Sequence, residues 1–130
     1  MSLTNKVTAE DVLGISGVDA SRCMQCGKCS GACPNYDEMD LHPHQFAALL
    51  RKGEVERLME SNALYQCLSC FACSQRCPRN VEPAKIIEAV RLTVIRQKGR
   101  NYMTADRLPE KLDEDLPQQA LVSAMRKYSK

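Results

Sequence analysis

At 130 residues the chain has room for one compact domain and a tail, not for two ordinary cores. Hydrophobic residues make up 44% and charged residues 26%, as in soluble globular proteins, but aromatics reach only 5% and Trp is absent. The formal charge of +2, with acids and bases interspersed, excludes the basic stripe of a nucleic-acid binder, and no apolar run approaches the roughly 20 residues of a direct membrane span.

The opening MSLTNKVTAE lacks the apolar core of a signal peptide, so the expected location is cytoplasmic. In TAEDVLGISG, Thr8 fits a helix N-cap with Asp11 three residues on. CMQCGKCSGACP then sets Cys23, Cys26, Cys29 and Cys33 within eleven residues. HPHQFAALLRKG predicts a helix: Pro43 suits the first position, Phe46, Leu49 and Leu50 share a face, and Gly53 follows Arg51 and Lys52 as a stop. EVERLMES predicts a further short helix.

CLSCFACSQRCP supplies the remaining cysteines, Cys67, Cys70, Cys73 and Cys77. EPAKIIEAVRLTVIRQKG predicts the strongest helix, from Pro83 to Gly99, with Ile86, Ile87, Val90 and Val94 on one face. Beyond it the composition turns polar and acidic. The reading is a single domain over 1–130 with its core at 16–103 and a tail at 104–130. In that tail Pro117 opens a periodic run with Leu121, Met125 and Tyr128 on one side, either a stub packed on the domain or a docking element. No alternating Val and Ile strands are found, so the fold class is all-α.

The cysteines repeat at a constant interval: Cys23 and Cys67, Cys26 and Cys70, Cys29 and Cys73, Cys33 and Cys77 are each 44 residues apart, with Pro34 and Pro78 in register. Two copies of one unit, a cysteine loop and then a helix, imply a pseudo-twofold arrangement with the halves facing each other. A reducing cytosol argues against structural disulfides, and clustering at two-residue intervals suits ligands converging on one small object.

Cys-x-x-Cys-x-x-Cys-x-x-x-Cys-Pro is a spacing of bacterial iron–sulfur ligation in which the fourth cysteine serves the other cluster. Three thiolates two residues apart let a tight loop wrap three corners of an iron–sulfur cube, while the fourth points away and proline ends the loop. Two 4Fe-4S clusters are therefore expected, one on Cys23, Cys26, Cys29 and Cys77, the other on Cys67, Cys70, Cys73 and Cys33. Such clusters would double as the core that the few aromatics do not supply. Zinc is the competing metal, but a zinc knuckle pair leaves the third regularly spaced cysteine without a role.

Each oxidised cluster on four thiolates carries about −2, which would take the formal charge from +2 to about −2. Arg22, Lys28, Arg76 and Arg79 are then either local compensation or a solvated basic face. His42 and His44 are read as capping or surface residues, Met24, Met39 and Met59 as gap-fillers, and Tyr36, Tyr65 and Phe71 as packing near the clusters or covering them. With every cysteine committed, no nucleophilic constellation and no G-x-G-x-x-G, the chain has cofactors and no substrate site, the mark of a single-electron relay.

RCMQCGKCSGACP, HPHQFAALLRKGEVERLMES and YQCLSCFACSQRCPRNVEP with the IIEAVR helix resemble the C subunit of heterodisulfide reductase and its bacterial homologues, from about Ser21 to Arg100. The resemblance implies an α-helical ferredoxin fold with two cluster loops set between helices, and the 33 residues between the motifs agree with it. It also implies the partners of such an oxidoreductase complex. One is a protein like the family's B subunit, whose CCG domain reduces the disulfide. The other is a flavin-containing protein like the A subunit, in some members joined to hydrogenase or formate dehydrogenase. The chain itself carries neither a CCG motif nor a flavin fingerprint. The alternatives are a dicluster subunit of another dehydrogenase or quinone-linked complex, a free ferredoxin, and a redox sensor.

Overall fold

The computed structural model describes residues 6–95 and 113–125. The chain divides into two units, Met1–Lys98 and Gly99–Lys130. Among the described residues of the first unit seven α-helices follow one another: α1 (Ala9–Ser16), α2 (Lys28–Gly31), α3 (Pro43–Lys52), α4 (Val55–Met59), α5 (Ala63–Gln66), α6 (Ala72–Arg76) and α7 (Pro83–Ile95), with 3-10 turns at Ala20–Arg22 and Tyr36–Glu38. Among the described residues there is no strand, and no helix is long and apolar enough to cross a membrane.

The helix ends are set by local chemistry. Thr8 and Asp11 form the expected reciprocal cap of α1: the Asp11 amide donates to Thr8 Oγ1 at 3.2 Å and the Thr8 amide donates to Asp11 Oδ2 at 2.8 Å. α3 begins at Pro43, and Gln45 Oε1 reaches back to accept the His42 amide at 2.8 Å. It stops at Gly53, whose φ of 76° is the left-handed geometry that an L side chain resists. α7 starts at Pro83 as read from the sequence, and the end predicted for it at Gly99 lies outside the described residues.

α7 is the helix around which the first unit is organised, with α1, α3, α4, α5 and α6 all packed on it. Phe46, Leu50, Leu58, Leu64, Ile86, Ile87 and Val90 are all at most 2% exposed and form one continuous apolar cluster with Val12 of α1. Two sequence expectations change here. The middle of the molecule is an aliphatic core around one phenylalanine, so the cysteine sites do not have to stand in for it. That core also begins before residue 16, because Val7, Ala9, Val12 and Leu13 pack into it.

In the second unit α8 (Gln118–Met125) follows Pro117, as the periodicity predicted. Leu121 is half-buried and Val122 exposed, while Tyr128 lies outside the described residues.

Candidate metal centres

Each cysteine loop holds a short helix that the sequence spacing did not reveal, α2 in the first and α6 in the second, and these two helices pack on each other. The 44-residue repeat is written into the backbone. Gln25 and Gly27 have φ of 55° and 75°, and their counterparts Ser69 and Phe71 have 53° and 61°. Two left-handed residues flanking the second cysteine curl each loop so that its first three cysteines line one cavity. Burial repeats as well: Cys29 and Cys73 are buried, Cys26 and Cys70 exposed, and the remaining four intermediate.

The thiols sort into two cavities that open to solvent. The first is lined by Cys23, Cys26, Cys29 and Cys77, the second by Cys67, Cys70, Cys73 and Cys33. Three cysteines of one loop thus line each cavity with the fourth of the other. Cys29 of the first cavity packs against Cys73 and Ala84 of the second in a small buried cluster of their own, so the cavities are neighbours.

Side chains from the helices complete the walls. His44 and Ala47 of α3, with Arg79 and Val81, close the first; Ala84 and Ile87 of α7, with Asn35 and Met39, close the second. His44 is more than the surface residue expected, since its Nδ1 lies 2.6 Å from Ser30 Oγ and its ring faces the first cavity. His42 stacks on Tyr36 at 3.9 Å. Of the aromatics expected near the sites only Phe71 lines one; Tyr36 and Tyr65 line neither cavity and are exposed. Met39 and Met59 pack as gap-fillers, but Met24 is half exposed at the rim of the first cavity. Of the four loop cations only Arg79 lines a cavity; Arg22, Lys28 and Arg76 are exposed.

Two arginines that the sequence reading assigned to no site brace the loops. Arg51 Nη1 donates to the Cys23 carbonyl at 3.1 Å, and Arg91 Nη2 donates to the Cys67 carbonyl at the same distance. Arg91 also reaches Leu64 O at 2.8 Å and Ser69 Oγ at 3.2 Å. No pattern in the sequence marks these contacts, which run across 24 to 28 residues.

The residues fit an iron–sulfur cluster at each position. Four cysteines line each cavity, the donor set that such a cluster takes. Burial pushes the Cys29 and Cys73 thiols up, partly countered by Ser30 and Ser74.

Comparison with known proteins places residues 19–81 in a match to the family model described as 4Fe-4S dicluster domain. The chain is 33% identical over 76 residues to the C subunit of the ferredoxin:CoB-CoM heterodisulfide reductase of Methanosarcina acetivorans, covering 58% of this chain and 30% of that protein. It is 32% identical over 91 residues to the C subunit of the H2:CoB-CoM heterodisulfide,ferredoxin reductase of Methanothermobacter thermautotrophicus (68% and 46%). With the iron–sulfur C subunit of the CoB–CoM heterodisulfide reductase of Methanopyrus kandleri it shares 32% over 94 residues (72% and 45%). The matched region spans less than half the length of these three relatives.

Proposed function

We propose, from the match of residues 19–81 to the 4Fe-4S dicluster domain model, that this chain is the electron-transfer subunit of a heterodisulfide reductase-like complex, holding two clusters. When bound, each cluster supplies a one-electron carrier whose charge is spread over iron and sulfur. Cys23, Cys26, Cys29 and Cys77 would hold one, and Cys67, Cys70, Cys73 and Cys33 the other. The chain's part is to fix their separation, shield them and set their potentials.

One observation carries this reading: each cavity is lined by three thiols of one loop and the fourth of the other, with Cys29 packed against Cys73 between them. Neighbouring sites suit a relay, because electron transfer falls steeply with distance. A docked subunit is favoured over a diffusing carrier by the apolar residues exposed at the cavity mouths: Met24 is 53%, Leu68 66% and Phe71 45% exposed. Electrons would arrive from a flavin-containing partner and leave to a CCG-domain partner that reduces a disulfide. The relatives' names support a multi-subunit reductase, since each is called a C subunit of a heterodisulfide reductase.

The test is anaerobic purification from the native cells. About eight irons and eight sulfides per chain, together with co-purifying CCG and flavin proteins, support the proposal. Zinc in place of iron overturns the clusters, and isolation as a lone monomer overturns the complex.

A further inference from the structure

The two cavities are built by the same plan and dressed differently, and the one charged side chain on their walls, Arg79, stands at the first. Where Arg79 lines the first cavity, its counterpart in the second is the neutral Asn35. The second residue of α3, His44, lines the first, while the second residue of α7, Ala84, lines the second. Gly27 of the first loop is answered by Phe71, which adds an apolar wall to the second cavity. The two bracing arginines differ as well. Arg91 is neutralised by Glu88 at 3.0 Å, whereas Arg51 has no acidic partner among the described residues. Arg76, which stands where the first loop has Ala32, lines neither cavity.

Hydrogen bonds to sulfur follow the same direction. In the first set Cys23 Sγ accepts Gln25 Nε2 at 3.0 Å and the Gln25 amide at 3.5 Å, and Cys77 Sγ accepts the Val81 amide at 3.4 Å. Among the described residues no N–H lies at such a distance from Cys33, Cys67 or Cys70; Cys33 meets only Met39 Sδ, at 3.5 Å. The buried pair tips the other way by one donor, since the Ser30 amide acts on Cys29 while the Ser74 and Ala84 amides act on Cys73, against the three N–H donors on Cys23 and Cys77.

Adding an electron to an iron–sulfur cluster adds a negative charge. Donors aimed at the sulfurs and cations at the wall stabilise that charge, and an apolar wall does the reverse. We infer that Cys23, Cys26, Cys29 and Cys77 hold the cluster of higher reduction potential, with Gln25 and Arg79 as the residues that set the difference. A single electron from a one-electron donor then comes to rest in the first site, no bond being made or broken, and transfer within the chain runs from the second site to the first. This rests on the two-cluster reading above.

The experiment is a potentiometric titration of the full chain, purified anaerobically with both clusters, with dithionite as reductant and electron paramagnetic resonance as readout. Cys26→Ser and Cys70→Ser identify the signal of each site. The expected result is that the first site is reduced first, by at least tenfold in equilibrium, about 59 mV for one electron. Gln25→Ser and Arg79→Asn, which install the residues of the repeat partner, each lower the potential of the first site more than that of the second, and Asn35→Arg raises the second. Iron at about eight per chain with the order reversed, or with no response to Gln25→Ser and Arg79→Asn, overturns this inference alone. Iron far below that number overturns the cluster reading, and the inference with it.

Discussion

Ser30 and His44 are joined twice: the serine hydroxyl lies 2.6 Å from His44 Nδ1 and accepts the His44 amide at 3.2 Å. The pair ties α2, inside the first cysteine loop, to the opening turn of α3, and holds the imidazole against the cavity. Ser30 is buried, so Ser30→Ala leaves a ring nitrogen and an amide without their partner. The expected cost is about 1–3 kcal/mol in denaturant unfolding. His44→Ala should in addition open the cavity wall and speed bleaching of the visible iron–sulfur absorbance in air. Bleaching at the parental rate would remove His44 from the wall.

The crossing of fourth ligands predicts that Cys77→Ser disturbs the site of the first loop and Cys33→Ser that of the second. Electron paramagnetic resonance of the reduced protein reads this directly. A Cys77→Ser protein that loses only the signal of the Cys67, Cys70 and Cys73 site would show uncrossed ligation.

Arg91 and Arg51 brace equivalent carbonyls with unequal strength. Arg91 is half-buried and donates to Leu64 O, Cys67 O and Ser69 Oγ besides its pair with Glu88, whereas Arg51 is exposed with one such contact. Arg91→Ala should therefore cost about 2–3 kcal/mol and Arg51→Ala no more than about 1 kcal/mol, measured by denaturant midpoints. Equal costs would mean that the contacts to the second loop do not hold it.

Asp40 caps the start of α5 from a distance. Its carboxylate accepts the Ser61 hydroxyl at 2.9 Å and the amides of Ala63 and Asn62 at 2.7 and 3.1 Å. Burial opposes its ionisation, but these donors outweigh it and hold the carboxyl below its ordinary value. A depressed folded pKa gives stability that is present above the unfolded value near 3.9 and lost as the pH falls through the lower folded one. Asp40→Asn should thus cost about 1 kcal/mol at pH 7, and the gap to the parent should close below about pH 4. A gap independent of pH would assign the effect to shape rather than charge.

Gly27 stands at φ 75° with no heavy atom within 4 Å of where a Cβ would sit. Gly27→Ala meets backbone strain and no clash, and the repeat already tolerates Phe71 at the matching position. The expected loss is about 1–2 kcal/mol of unfolding free energy with both clusters retained. Loss of a cluster would show that the loop needs glycine for approach rather than for its dihedral.

The sequence spoke most clearly where covalent spacing limits the chain. Proline and glycine marked the bounds of α3, the Thr8 and Asp11 pair marked α1, and the cysteine interval marked the repeat that recurs in the backbone dihedrals of the two loops. It was silent on α2, α5 and α6, which are one turn or little more and too short to show a periodic face. Contacts such as Arg91 to Leu64 arise from tertiary packing and leave no local signature. The low aromatic content misled about the core, because leucine, isoleucine and valine on α3, α4 and α7 fill it around Phe46 alone.

The trading of fourth thiols between the cavities bears on ancestry. A lone 44-residue unit owns four cysteines, yet only three of them face its own cavity. Such a unit completes a site only by embracing a twin, and tandem fusion makes that embrace permanent. Once fused, the twins are free to diverge, as Gly27 and Phe71, or Arg79 and Asn35, have done.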